Sequence, residues 1–344
     1  MVFTRAKLAT ERQLTITQGY TAIVGARSES VYSRVGMGIL QSAETGVELT
    51  LPERALVGRS SACDLRIERR EVSSEHAAVR WIDRRWVAVD LGSRNGTSVD
   101  GRLLAAGEEQ PVARGAVLRF ACDDERWILR DDGPPELFAR SDVGERRAIG
   151  GILVLPDDSD PRVTIYRGGS GVWLADDGAR SVELEDRQRL EVAGVRWRLH
   201  LPGSTAETWD ISGPTRSLGL ATLHLLCSRD EEKILATLTW SGEAIELGYR
   251  AHHALLLQLI RARQGDDARG FSSADSGWVH GEELARQLGV DVAHLNILIY
   301  RLRRQLAAAE VVDAAAIIER RGRSGELRLG ALRRATLELR GKIV

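Results

Sequence analysis

Between residue 37 and about residue 130, apolar positions come in short runs that alternate with polar ones: "RALVG", "CDLRI", "HAAVRWI", "WVAVDL", "AVLRFA" and "RWILR". Alternation puts every second side chain on one face, which is the period of a strand. Many short strands separated by turn residues predict an all-β sandwich. The paired prolines of "DDGPPE" (131–136) interrupt the pattern, and it resumes over 137–203 with "GILVL", "RVTIY", "GVWLA", "SVELE" and "VRWRLHL". A second turn-rich stretch follows, so 204–231 reads as a linker. From 232 to 344 the period changes. "KILATLTWSGEAIELG" alternates as a hairpin and "AHHALLLQLIRARQ" (251–264) is an amphipathic helix. "VHGEELARQLG" is a short helix stopped by Gly289, "DVAHLNILIYRLRRQLAAAE" (291–310) a helix capped by Asp291, and "AIIERRGRSGELRLG" two strands around a basic turn. Residues 1–36 show no sustained period and read as a tail, with Met37 as an alternative start.

Composition narrows the function classes. With 344 residues and 43% hydrophobic content the chain can bury several small cores. No apolar run approaches the ~18 residues of a membrane span, and the N-terminus lacks the apolar stretch of a secretory signal, so a cytoplasmic protein with no membrane partner is expected. Cys63, Cys122 and Cys227 are odd in number and widely separated, which predicts reduced thiols and no zinc site. The His residues lack metal spacing, and neither a Walker loop nor GxSxG occurs. An enzyme is therefore not expected, and no cofactor is called for. The net charge of −1 hides an asymmetry: Val290–Val344 holds 11 Lys/Arg against 6 Asp/Glu, a surplus of 5.

Within the first β segment three clusters fall in order: "GR" (58–59), "SSEH" (73–76) and "GSRNG" (92–96). They resemble the forkhead-associated (FHA) domain, a β-sandwich with GR, SxxH and NG on consecutive loops. The resemblance covers 37–132, with Asp100-Gly101 where an Asn-Gly pair is usual. It implies a reader of phosphothreonine, an anion that needs a fixed cation and several neutral donors. Arg59 offers a planar double donor and Arg94 a second cation, with Ser73 and Ser74 as further donors. Asn95 would hold the ligand main chain by its amide, while Gly58, His76 and Gly96 would brace the loops. Residues 137–203 read as a degenerate FHA-like copy. "ERALVGR" (53–59) aligns with "ERRAIGG" (145–151), "HAAVRW" (76–81) with "RVTIYR" (162–167), and "WVAVDLGSR" (86–94) with "VWLADDGAR" (172–180). Gly151 then replaces Arg59, and Arg162 replaces His76.

The C-terminal order of strand, three helices and hairpin resembles the winged helix-turn-helix output domains of response regulators, whose recognition helix carries a pattern like "LIYRLRRQL" (298–306). Leu295, Leu298, Ile299, Leu302 and Leu306 recur at helical spacing and should face the core. Asn296, Tyr300, Arg301, Arg303 and Arg304 are then left for base edges in a major groove, with Arg321 and Arg323 of the wing for phosphates. The expected molecule is multidomain: an all-β FHA sandwich, a second degenerate one and an α+β winged helix. It would regulate transcription in response to a phosphothreonine-containing protein, the product of a Ser/Thr protein kinase, and would bind double-stranded DNA. The alternative is a signalling adaptor in which both ends bind proteins. Thr10, Thr15, Thr17 and Thr21 of the tail offer phosphorylation sites that would dock in the pocket around Arg59 of the same chain or of a second copy, the latter making a homodimer.

Overall fold

Alternation sorts the first sandwich into two sheets. Its strands are β1 (Ile39–Ser42), β2 (Glu48–Thr50), β3 (Arg54–Gly58), β4 (Leu65–Arg66), β5 (Ala77–Ile82), β6 (Arg85–Asp90), β7 (Thr97–Val99), β8 (Arg102–Leu103), β9 (Glu109–Val112), β10 (Val117–Phe120) and β11 (Arg126–Asp131). They form sheets of order β2-β1-β11-β10-β7-β8 and β4-β3-β5-β6-β9. Inward residues such as Leu40, Val57, Val79, Trp86, Leu118 and Phe120 fill the space between them. This computed structural model describes residues 36–122, 124–168, 171–203, 216–321, 324–330, 332 and 334–340. Contacts divide the chain into Met1–Gly36 and Met37–Val344. The threonines of the tail lie outside the described residues.

The second sandwich holds β12 (Phe138–Ser141), β13 (Gly144–Arg147), β14 (Leu153–Asp157), β15 (Asp160–Arg167), β16 (Trp173–Asp176), β17 (Ser181–Glu183), β18 (Arg189–Val192) and β19 (Val195–His200). Its sheets, β13-β12-β19-β18 and β14-β15-β16-β17, repeat the order of the first sandwich with β4, β7 and β8 deleted. Equivalent contacts fix the register between the two. Trp86 and Trp173 each donate an indole N–H to a carbonyl beyond the last strand, Gly133 at 2.9 Å and Pro202 at 3.0 Å. Asp90 and Asp177 each accept the backbone N–H groups two and three residues on. Val57 pairs with Ala77 as Leu155 pairs with Val163. The position of Arg59 therefore falls on Asp157, not on Gly151 as the sequence alignment had it, and Asp90 corresponds to Asp177, one residue on. The long connection between β3 and β5, which carries Ser73 and Ser74, is reduced to the tight turn joining β14 to β15.

The sandwiches are tied together by polar contacts. Arg187 reaches Asp64 at 3.1 Å and the Arg54 carbonyl at 2.7 Å, and Arg140 donates to the Thr50 carbonyl at 3.1 Å.

The C-terminal region begins earlier than the sequence suggested. β20 (Thr222–Ser228), inside the expected linker, pairs with β21 (Ile234–Trp240), which pairs with β22 (Glu243–Tyr249). Its "TLHLLCS" alternates, and Leu223, Leu225 and Cys227 are buried. Three helices follow: α1 (His253–Ala268), α2 (Gly281–Gln287) and α3 (Val292–Ala308), with the short β23 (Val279–His280) before α2. Asp291 caps α3 by accepting the His294 N–H at 2.7 Å. The hairpin β24 (Ile318–Arg320) and β25 (Glu326–Leu329) joins β23, and β26 (Arg334–Arg340) closes the four-stranded sheet parallel to β20. Leu295, Ile299, Leu302 and Leu306 lie in this core, and Leu298 is buried as well. Among the described residues no helix is long and apolar enough to cross a membrane.

Phe120 is fully buried at the centre of the first sandwich, with its ring edge-on to His76 at 6.1 Å. Phe120→Ala should cost roughly 3–5 kcal/mol of stability through lost transfer energy and the cavity left behind, a loss that urea unfolding would measure.

Candidate functional site

Three loops meet at one end of the first sandwich because β3, β5 and β6 are neighbours. The loop after β3 and the loop before β5 are joined by backbone bonds, Arg59 N–H to Ser73 O at 2.9 Å and Ser60 N–H to Ser74 O at 3.0 Å. A Cβ on Gly58 would lie 2.4 Å from the Ser74 carbonyl oxygen, so the approach of the loops requires glycine. The loop after β6 is built on Asp90, whose carboxylate accepts from Gly92 N–H, Ser93 N–H, Ser93 Oγ and Thr97 Oγ1. Burial would raise the Asp90 pKa, but these bonds together hold it below the usual carboxylate range.

His76 joins the two outer loops. The ring is fully buried, Ser73 N–H donates to Nδ1 at 3.2 Å, and Nε2 lies 3.0 Å from the Gly96 carbonyl. Since Nδ1 accepts, the hydrogen is on Nε2 and the ring is neutral. Burial pushes its pKa below 6.5. Gly96, at φ +81°, accepts this bond while its N–H is held by Ser93 Oγ at 2.9 Å. The bracing residues expected from the sequence thus have defined partners.

The binding candidates surround the mouth of these loops. Arg59 is exposed, with Nε donating to the Val72 carbonyl at 3.3 Å; its terminal nitrogens make no hydrogen bond among the described residues. Ser73 Oγ accepts the Arg94 N–H at 3.1 Å and keeps its hydroxyl hydrogen for a ligand. Ser74 and the Arg94 side chain are exposed beside it. The Asn95 amide is committed in part: its NH2 donates to the Glu71 carbonyl at 2.7 Å, bridging the loops and leaving Oδ1 as an acceptor. Two cations, a hydroxyl and an amide oxygen on one rim suit a phosphorylated extended peptide.

Residues 55–121 match the family model of the FHA domain. The chain carries an FHA domain. Among solved structures, a domain from a study of phosphothreonine-dependent FHA domain interactions is 28% identical, over 28% of this chain and 97% of that one, with a TM-score of 0.26. The FHA domain of the CT664 protein from Chlamydia trachomatis is 24% identical, over 28% of this chain and 98% of that one, at a TM-score of 0.25. Mycobacterium tuberculosis EmbR, in complex with a low-affinity phosphopeptide, is 22% identical, over 27% of this chain and 24% of that one, at a TM-score of 0.25. No curated protein matches the chain.

The C-terminal candidates are not assembled on an open face. Tyr300 and Arg303 are 6% and 1% exposed, which corrects the expectation that they face solvent. Tyr300 OH donates to Asp158, and the Arg303 guanidinium donates to the Ala315 and Ile318 carbonyls and lies 4.1 Å from the Tyr166 ring centroid. Asn296 accepts from Arg320 at 3.2 Å, and Arg304 donates to the Ile149 carbonyl at 3.4 Å. Arg301 is exposed. Arg321 is exposed, stacked 4.2 Å from the Trp278 ring centroid and paired with Glu326 at 3.2 Å; Arg323 lies outside the described residues. The sequence reading missed Arg320. Its side chain is 2% exposed and meets Asp176 at 3.1 Å. Alternation along β24 could have found it, because adjacent strand residues face opposite ways and Arg321 points outward.

The His76 bracing makes stability pH-dependent. A pKa lowered in the folded state means that the unfolded chain binds the extra proton, so the contribution is present above pH 6.5 and is lost as pH falls towards the folded pKa. His200 and His252, lowered to about 4 chiefly by burial, act in the same direction. The parent should therefore lose stability on acidification below pH 6.5 more steeply than His76→Ala, a difference read by denaturation at a series of pH values. Gly58→Ala should destabilise the domain by roughly 1–3 kcal/mol, because the Ser74 carbonyl has to move; the same unfolding measurement checks it.

Proposed function

We propose that the chain is a phosphothreonine-dependent regulator. The FHA domain reads a protein phosphorylated by a Ser/Thr kinase, and the C-terminal region is a winged helix that binds double-stranded DNA. The observation that carries the first half is the rim where Arg59, Ser73, Arg94 and Asn95 converge over loops pinned by His76. FHA domains among the similar structures are described in phosphothreonine-dependent interactions, which supports this reading. The second sandwich is a degenerate FHA domain in this proposal. It keeps the strand order but carries a carboxylate, Asp157, where a phosphate reader needs its guanidinium. Support for the DNA half comes from the α2–α3 pair followed by the β24–β25 hairpin, and from the basic surplus of the C-terminal residues. Catalysis and a cofactor have no part in this reading, and a cytoplasmic location fits it.

One observation favours the adaptor reading. α3 buries Tyr300 and Arg303 against protein. In that reading the winged helix recognises proteins only and the second sandwich is its resident partner.

A phosphothreonine peptide should bind, its unphosphorylated form should not, and Arg59→Ala should lose about 1.5–3 kcal/mol, tenfold or more in affinity. Because Asp157 cannot substitute for Arg59, the second sandwich should add no phosphate-dependent binding of its own. Calorimetry on the full chain decides it; equal binding of both peptides contradicts the proposal. Duplex binding that weakens with added salt supports the DNA half, and its complete absence at low salt leaves the adaptor.

A further inference from the structure

The outer face of β14–β15–β16 is not a surface that a free sandwich would expose. Leu153, Leu155, Ile165 and Ala175 point into the sandwich core. The alternate residues Val154, Tyr166 and Leu174 form an apolar patch, and Tyr300 and Ala307 of α3 lie against it. The fit is close. A Cβ on Gly178 would fall 1.6 Å from Asn296 Nδ2, and one on Gly150 would fall 2.5 Å from Ala307 Cβ.

At the edge of this patch Asp176 stands between Arg320 at 3.1 Å and Arg303 at 3.5 Å, and all three side chains are at most 5% exposed. Two guanidiniums have given up water for one carboxylate, and Arg320 also donates to the Gly178 carbonyl at 2.7 Å. Such a cluster is stable only while the partner anion is in place; separated from Asp176 and Gly178, Arg320 Nε and Nη1 and Arg303 Nη1 are left to meet the oxygens of a phosphodiester. Beside the covered face an open cleft of about 440 Å³ is lined by Arg250, Arg301 and Arg304, with no carboxylate among its lining residues.

We infer that the second sandwich is a built-in competitor for the surface of α3. In the closed arrangement it withholds Asn296, Tyr300, Arg303 and Arg320 from DNA, and Asp176 holds the place of a backbone phosphate. A duplex first meets Arg250, Arg301 and Arg304 at the uncovered cleft and then displaces the sandwich to seat the helix. This regulation rests on the DNA-binding reading above.

The test opens the contact without adding charge, since an added cation would itself attract DNA. Val154→Gln with Tyr166→Gln alters only the outer face of the sandwich; Ala307→Gln, on the α3 side, wedges the same contact from the opposite partner and leaves the sandwich sequence intact. Each full-length protein is compared with the parent by hydrogen exchange across α3 and by binding to a random-sequence DNA duplex at low salt. The expected result is faster exchange in α3 and an affinity raised about tenfold or more in both variants. Unchanged exchange overturns the proposal, because the contact then does not hold α3. Faster exchange with the duplex bound equally by parent and variants overturns the competition while leaving DNA binding standing. Faster exchange with no duplex bound by any of the proteins overturns the DNA reading itself.

Discussion

The Asp176 carboxylate, buried between Arg303 and Arg320, is the interaction on which the arrangement of this chain depends. A carboxylate at the end of β16 would be costly to bury alone, and so would either guanidinium. Together, with the Ala315, Ile318 and Gly178 carbonyls and Asn296 Oδ1 accepting further guanidinium N–H groups, they fix how the second sandwich meets α3. The apolar patch of Val154, Tyr166 and Leu174 supplies area, and the ion cluster supplies register. This contact, with the Arg187–Asp64 and Arg140–Thr50 contacts between the sandwiches, makes Met37–Val344 one unit in place of three loosely strung domains.

The two sandwiches share one strand order and differ in what their ends and faces present. In the first, the long β3–β5 connection brings Ser73 and Ser74 beside Arg59, and the loop after β6 adds Arg94 and Asn95; the sandwich end offers positive charge and donors. In the second, that connection has shrunk to a turn whose Asp157 carboxylate accepts the N–H groups of Ser159 and Asp160. This end bears Asp157, Asp158 and Asp160, with Asp160 paired to Arg162 at 2.7 Å. The outer sheet face of the second sandwich, through Val154, Tyr166 and Leu174, is packed against α3 of the same chain.

Much of this was legible in the sequence. Period-two runs located most of the strands, and the Asp291 cap and leucine spacing located α3, because those signals are local. The order of the GR, SSEH and SRNG clusters marked the end of the sandwich where three loops meet, since each cluster sits at the end of a strand that alternation had already placed. What the sequence hid was contact between segments. Tyr300 and Arg303 share a polar helix face that the outer face of β14–β16 covers, with the Ala315 and Ile318 carbonyls completing the burial of Arg303. β20 lay inside an apparent linker although "TLHLLCS" alternates and its hairpin partner β21 follows closely; only its second partner, β26, lies more than a hundred residues away. The repeat alignment set Gly151 against Arg59 because "ERRAIGG" resembles "ERALVGR" by letter, whereas counting on from the Val57–Ala77 and Leu155–Val163 pairs sets Asp157 there.

The most direct measurement follows Tyr166, which is 4% exposed beneath α3 in the closed arrangement. Hydroxyl-radical labelling of the full-length protein is read by mass spectrometry with and without a saturating DNA duplex. The account predicts that Tyr166 is protected in the free protein and becomes labelled once the duplex is bound, because the sandwich has been displaced. A Tyr166 that stays protected while the duplex is bound would contradict it.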